Sequence, residues 1–174
     1  MKIARFEYRQ SIHLGLVDVT GSRLELLAAV PGGDPMIALI ERDLAGERPR
    51  GSGEFVALDE VRLLPPIAQP SKNVLCVGKN YVAHAAEFTQ SGYDGTAKSL
   101  SDPVPEHPII FTKAPGTMIG ARDTILPPWS MSSEIDYEAE LGVIVGRPGR
   151  SIARDAALAH VWGYTVINDV TSRD

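Results

Sequence analysis

The stretch SSEIDYEAELGVIVG, residues 132–146, decides how this chain is read. Its polar and apolar residues alternate as in a β-strand, so Glu138 and Glu140, two positions apart, point the same way. At ~3.3 Å of rise per residue the two acids sit roughly 7 Å apart along the backbone, and they repel unless a positive charge lies between them. A hard divalent cation suits that gap. Mg²⁺ and its relatives take oxygen ligands and keep several waters, so two or three carboxylates without Cys or His are an adequate set. Asp169 is the candidate third acid. It lies in YTVINDVTSRD, residues 164–174, a second β-branched and apolar run that reaches its polar end at Asn168 and Asp169. A half-buried strand can also carry Glu on its solvent face for no chemical purpose, so the spacing alone is weak evidence. The company adds weight: Asp136 and Tyr137 stand ahead of the pair, LGVIV follows it, and another acid closes a second strand after a helical crossover.

Composition bounds the rest. The 174 residues suit one domain, or a small one plus part of a larger one, and an apolar content of 44% allows a real core. A net charge of −5, a pI near 5.4 and the lack of any Lys/Arg-rich run argue against a nucleic-acid surface. Residues 1–10 have no signal-peptide core, and nowhere do 18 apolar residues run uninterrupted, so a cytoplasmic protein without membrane spans is expected. The single cysteine, Cys76, precludes an internal disulfide and fits a reduced compartment. Its neighbours Val74, Leu75 and Val77 predict a buried strand in which it is a small core residue rather than a nucleophile.

Residues 2–8, 12–19 and 22–29 read as a small β meander with a turn at Thr20-Gly21-Ser22. Residues 35–45 show helical spacing between Pro35 and Gly46. A polar link over 47–53 leads to strand character in ALDEVRLLPP, residues 57–66, which Pro65, Pro66 and Pro70 interrupt. A boundary is expected near residues 64–72, separating a small β-rich domain, 1–66, from a second region, 71–174. That region opens with a strand at 74–77 and a helical turn that Asn80 can cap. His84 and Glu87, at i and i+3, share a face of that helix, where the acid can orient the imidazole as a water-activating base, or the two can be an ordinary solvent-facing pair. The polar stretch 91–107 suits a lid. PIIFTKAPGTMIGARDTILPP, residues 108–128, predicts two strands, with Lys113 at a rim where it could meet an anionic substrate. Residues 153–162 predict a helix ending at Gly163, with His160 packed rather than ligating.

Three blocks now carry a resemblance: residues 61–88, VRLLPPIAQPSKNVLCVGKNYVAHAAEF; residues 108–128; and residues 135–174, from IDYEAELG to NDVTSRD. Together they resemble the fumarylacetoacetate hydrolase family over about residues 60–174, and residues 1–60 are similar to the small N-terminal domain of many members. The resemblance implies an α+β, mainly β fold, a mixed β-sandwich roll around a metal-centred pocket, often in a homodimer. It implies that Glu138, Glu140 and Asp169 hold Mg²⁺ or Mn²⁺ and that His84 and Glu87 form the catalytic dyad. The substrates implied are small 2-oxo or β-dicarbonyl acids, cleaved hydrolytically at a C–C bond, or else decarboxylated or isomerised. All three reactions build charge on an enolate or carbanion that a Lewis acid stabilises.

Two departures stand out. VLCVGK, residues 74–79, offers no further acid ahead of His84, which points to the three-carboxylate, bacterial-type branch. The family continues beyond the N-D-x-[ST]-x-R-D block with further strands and a Gly-Thr-Pro loop, so the chain is expected to represent part of a longer product. The alternative from another class is a non-catalytic remnant or interaction module whose bare sheet edges are covered by a partner.

Overall fold

The structure, a computed structural model, describes residues 1–29, 33–90 and 104–174. The fold is α+β and mainly β. Three strands open it: β1 (Ile3–Tyr8), β2 (Ser11–Val17) and β3 (Arg23–Leu27), antiparallel in sequence order. Arg9 and Gln10 make the first turn with φ of 49° and 63°, so both central residues are left-handed, as a two-residue hairpin matching the strand twist requires. At the second turn the Asp18 carboxylate accepts from Ser22 N at 3.1 Å and Thr20 Oγ1 at 2.9 Å.

The polar link expected at 47–53 is shorter and ends at Arg50: β4 runs Gly51–Ala57 and pairs with β3. Glycines at 51 and 53 hide its alternation, and a register shift between Glu25 and Leu27 lets the Glu25 carboxylate accept from Gly53 N at 3.1 Å. The strand expected at 57–66 shrinks to a 3₁₀ turn, Leu58–Glu60, and the two-residue β5 (Arg62–Leu63) on β1. A five-stranded antiparallel sheet results, in the order β4-β3-β2-β1-β5.

Both faces of this sheet are used. Phe6, Leu24 and Val56 share one face and pack with Val61. Leu14 lies on the other, against helix α1 (Pro35–Leu44). Asp34 caps α1 by accepting from Met36 N at 2.9 Å, and Met36, Leu39 and Ile40, at i, i+3 and i+4, form its buried stripe.

Two compact units divide the chain, residues 1–67 with 119–174, and residues 68–118. The second unit pairs β6 (Val74–Gly78) with β7 (Ile109–Lys113) and carries helix α2 (Val82–Gln90). The buried strand expected at 74–77 is corrected here: Leu75 is 70% exposed, Val77 43%, and Cys76 only half-buried. A two-stranded ribbon satisfies the backbone along one edge but covers neither face. The second strand expected after Gly116 does not form among the described residues. Pro127 and Pro128 lack ladder donors, and a turn forms where Asp123 accepts from Gly120 N at 2.8 Å and binds Arg62 at 2.9 Å.

The first unit continues with β8 (Ile135–Asp136), β9 (Ala139–Val145), a 3₁₀ segment (Arg154–His160), β10 (Val161–Asn168) and β11 (Thr171–Ser172). The helix expected over 153–162 is 3₁₀ up to His160 and strand from Val161, with Gly163 opposite Ile144 rather than capping a helix. A tertiary contact overrides the local propensity. Trp162 and Ile144 pack on the α1 cluster, and the indole N–H donates to Asp43 Oδ2 at 2.9 Å. His160 Nδ1 lies 3.0 Å from Arg147 O. Residues 172–174 clasp the chain ahead of β8: Asp174 bonds the Ser132 hydroxyl and accepts from Ser133 N at 3.2 Å and Ser172 Oγ at 2.7 Å. The Ser132 hydroxyl, then that of Ser172, holds the Asp174 carboxyl down at about 2.

Two outcomes follow for stability. Phe6→Ala, which empties a site with 0% exposure, is expected to cost about 3–5 kcal/mol, whereas Leu141→Ala, on a residue 58% exposed, changes stability by less than about 0.5 kcal/mol. Urea unfolding of both variants checks this. Because the Asp174 pKa is lowered on folding, its contribution is present above the ordinary carboxylate value and lost as pH falls from about 4 toward 2. An acid titration followed by circular dichroism should show Asp174→Asn flattening the stability profile over that window, with the variant less stable than wild type above pH 5 and the difference vanishing toward pH 2.

Candidate active site

The ladder between β9 and β10 places the acids. Glu140 lies opposite Ile167 and Ala139 opposite Asn168, and Asp169 N donates to Glu138 O at 2.8 Å, carrying the pairing one step further. Side chains directly opposite in an antiparallel pair share a face, and the period along each strand is two. Glu138, Glu140 and Asp169 therefore occupy one face of one ribbon. Gly142 continues that face. A Cβ there would lie 2.7 Å from both Ile167 Cδ1 and Thr165 Cγ2, so only glycine lets these side chains close over β9 beside Glu140.

Polar side chains of NDVTSRD bind the stretch that carries the first two acids. The Asn168 side-chain oxygen accepts from Glu138 N at 3.0 Å, and Thr171 Oγ1 donates to Asp169 O at 2.9 Å. Arg173 donates from Nη2 to Glu138 Oε1 at 2.6 Å and to Asp136 Oδ2 at 2.9 Å. The Asp136 carboxylate, then that of Glu138, raises the Arg173 pKa further above its already high value, so the guanidinium stays charged throughout. Asp169 is buried and Glu138 nearly so, with its side chain 17% exposed.

The described side chains do not close into a group of three or more His, Cys, Asp or Glu able to hold a metal ion. Register and donor chemistry nevertheless fit a hard cation: three carboxylates on one face, oxygen only, with Asp169 withdrawn from solvent. Arg173, and its pairing with the Asp136 already noted ahead of the acids, are what the sequence did not announce in this site. The signal was a charge pattern, an arginine closing the block that contains the third acid and an aspartate two residues before the first.

His84, Glu87 and Lys113 belong to the other unit. His84 is half-buried and Glu87 exposed on α2, and Lys113 ends β7 opposite Val74. Lys79, just after β6, is only 7% exposed and has a φ of 55°, a buried cation that sequence reasoning did not single out. The lid expected at 91–107 falls mostly on residues 91–103, outside the described residues.

Comparison with known proteins matches residues 73–174 to the fumarylacetoacetate (FAA) hydrolase C-terminal family and residues 1–66 to the Rv2993c-like N-terminal family. The chain is 40% identical over 163 residues to the oxaloacetate tautomerase YisK of Bacillus subtilis, covering 91% of this chain and 50% of that protein. Among solved structures it is similar to a fumarylacetoacetate hydrolase from psychrophilic Exiguobacterium antarcticum, with a TM-score of 0.74 and 32% identity over 100% of this chain and 57% of the other. It is also similar to the maleylpyruvate hydrolase of Sphingobium sp. SYK-6, solved with manganese (II) ion and pyruvate, with a TM-score of 0.69 and 28% identity over 99% of this chain and 60% of the other. The chain thus spans about half the length of the curated relative it matches. With the family match covering residues 73–174 and lying on the strands that carry the paired acids, the chain belongs to the fumarylacetoacetate hydrolase family.

Proposed function

We propose that this chain carries the cation-binding face of a divalent-metal-dependent enzyme acting on small 2-oxo acids, with keto–enol tautomerisation of an oxaloacetate-like substrate as its reaction. The observation that carries this reading is the β9–β10 register, which aligns Glu138, Glu140 and Asp169 on one face. The 40% identity to an oxaloacetate tautomerase supports tautomerisation over the hydrolysis first expected. Hydrolytic C–C cleavage is the second reading, favoured by the similarity to a maleylpyruvate hydrolase, and decarboxylation draws no support from these relatives. The same proposal takes residues 1–66 as a small β-rich domain and 71–174 as part of the catalytic one, in a homodimeric, cytoplasmic protein. No helix among the described residues is long and apolar enough to cross a membrane.

Glu138, Glu140 and Asp169 would hold Mg²⁺ or Mn²⁺, which when bound supplies Lewis-acid stabilisation of enolate charge. The remaining work falls on side chains. In this reading a His84 ring nitrogen takes the proton from the carbon next to the 2-oxo group, and a proton is returned at the oxygen, so the C–H bond broken is balanced by the O–H bond formed. Glu87 orients the imidazole and Lys113 meets the substrate carboxylate. Hydrolysis would ask the same imidazole to deprotonate a water instead.

His84→Ala is expected to lower tautomerisation by about 10²–10⁴-fold while leaving metal affinity unchanged, since the imidazole is not a ligand. Oxaloacetate enol-to-keto conversion and acylpyruvate hydrolysis, assayed side by side for wild type and variant with Mg²⁺ or Mn²⁺, check this. Unchanged turnover of both substrates removes the dyad from the mechanism. Hydrolysis without tautomerisation transfers the argument to the second reading.

A further inference from the structure

We infer that Arg173 is a positioning residue for the cation site, holding the Glu138 carboxylate in its ligating orientation, with Asp136 as the anchor of the guanidinium. The inference rests on the cation-binding reading above. Arg173 Nε and Nη2 both donate to Asp136 Oδ2, at 3.1 and 2.9 Å, while Nη2 also reaches Glu138 Oε1 at 2.6 Å. The backbone fixes the arginine independently. Thr171 lies opposite Asp136 and Ser172 opposite Ile135 in the β8–β11 ladder, and Arg173 N donates to Glu134 O at 2.9 Å. Asp136 and Glu138 are two apart, so one guanidinium can span both carboxylates.

Two roles are open to a cation placed there. As a competitor, Arg173 would occupy Glu138 and leave when a metal binds. As a positioner, it would stay and fix one carboxylate oxygen. The anchoring favours the second role, because two bonds to Asp136 and the ladder keep the guanidinium in place when Glu138 moves. A carboxylate offers about four lone-pair sites on two oxygens, and the arginine takes one of them at Oε1. Charge points the same way. Three ligating carboxylates around one divalent ion leave a net negative charge, Asp136 adds to it, and without Arg173 the Asp136 and Glu138 carboxylates would repel across a short gap. Hydrogen-bonding partners that orient metal ligands typically account for about 10–100-fold of metal affinity.

Mn²⁺ binding to the 174-residue chain, measured by electron paramagnetic resonance and calorimetry, tests this. Arg173→Gln is expected to weaken Mn²⁺ binding by about 10–100-fold, and Asp136→Asn to weaken it by a similar factor. The double variant should be no worse than either single one, because both act through the same carboxylate. Arg173→Lys keeps the charge without the fork, and it should recover part of the loss even where Arg173→Gln lowers thermal stability. Arg173→Gln or Arg173→Lys binding Mn²⁺ as tightly as wild type, or more tightly, overturns the positioning role while the cation reading stands. Wild type failing to bind Mn²⁺, or Glu140→Gln binding it as wild type does, overturns the cation reading and this inference with it.

Discussion

The register between β9 and β10 is the constraint on which the rest depends. A strand's side chains alternate with a period of two, so a slip of one residue would send Glu140 to the opposite face and separate it from Asp169. The pairing of Glu140 with Ile167, and the bond from Asp169 N to Glu138 O, hold the set in step. At the far end of the same ribbon, Ile144 and Trp162 pack on α1, and the indole bond to Asp43 fixes their position. Hydrophobic burial at one end thus specifies which face the acids occupy at the other. The N-terminal sheet and α1 act on the candidate site through packing rather than through chemistry of their own.

The block NDVTSRD serves as a second lock. Asn168 bonds Glu138 N, Arg173 bonds Asp136 and Glu138, and Asp174 bonds Ser132 and Ser133 N, so the block is stitched to the stretch that precedes and opens β9. The two sequence segments that carry the acids also bind each other through these polar contacts. Charge is then distributed along them, with a persistently charged guanidinium set among carboxylates that would otherwise repel.

Much of this was legible in the sequence where a periodic signal coincided with a tertiary demand. The helix between Pro35 and Gly46, the three-strand meander and the strand alternation around Glu138 and Glu140 were readable, because each carries its period in a short run of residues. The failures share a cause. In β4 the glycines remove the side chains that would show alternation. The Ala-rich run 153–160 has helical propensity, but Val161 pairs with Val145 and Trp162 is drawn into β10 by contact with α1, more than a hundred positions away. Leu75 and Val77 look like core residues in sequence, yet their burial depends on what covers a two-stranded ribbon, which the strand itself does not encode. The pairing of Arg173 with Asp136 left only a charge pattern to read, because an ion pair between residues 37 apart leaves no local periodicity.

The central claim is that one cation sits on one face of this ribbon. Anomalous diffraction from a crystal grown with Mn²⁺ tests it most directly. The account predicts a single anomalous peak bounded by carboxylate oxygens of Glu138, Glu140 and Asp169 at about 2.0–2.2 Å, the range of small hard-ion and carboxylate distances. A peak held by other residues, or no peak there with these carboxylates turned to different faces, would contradict it.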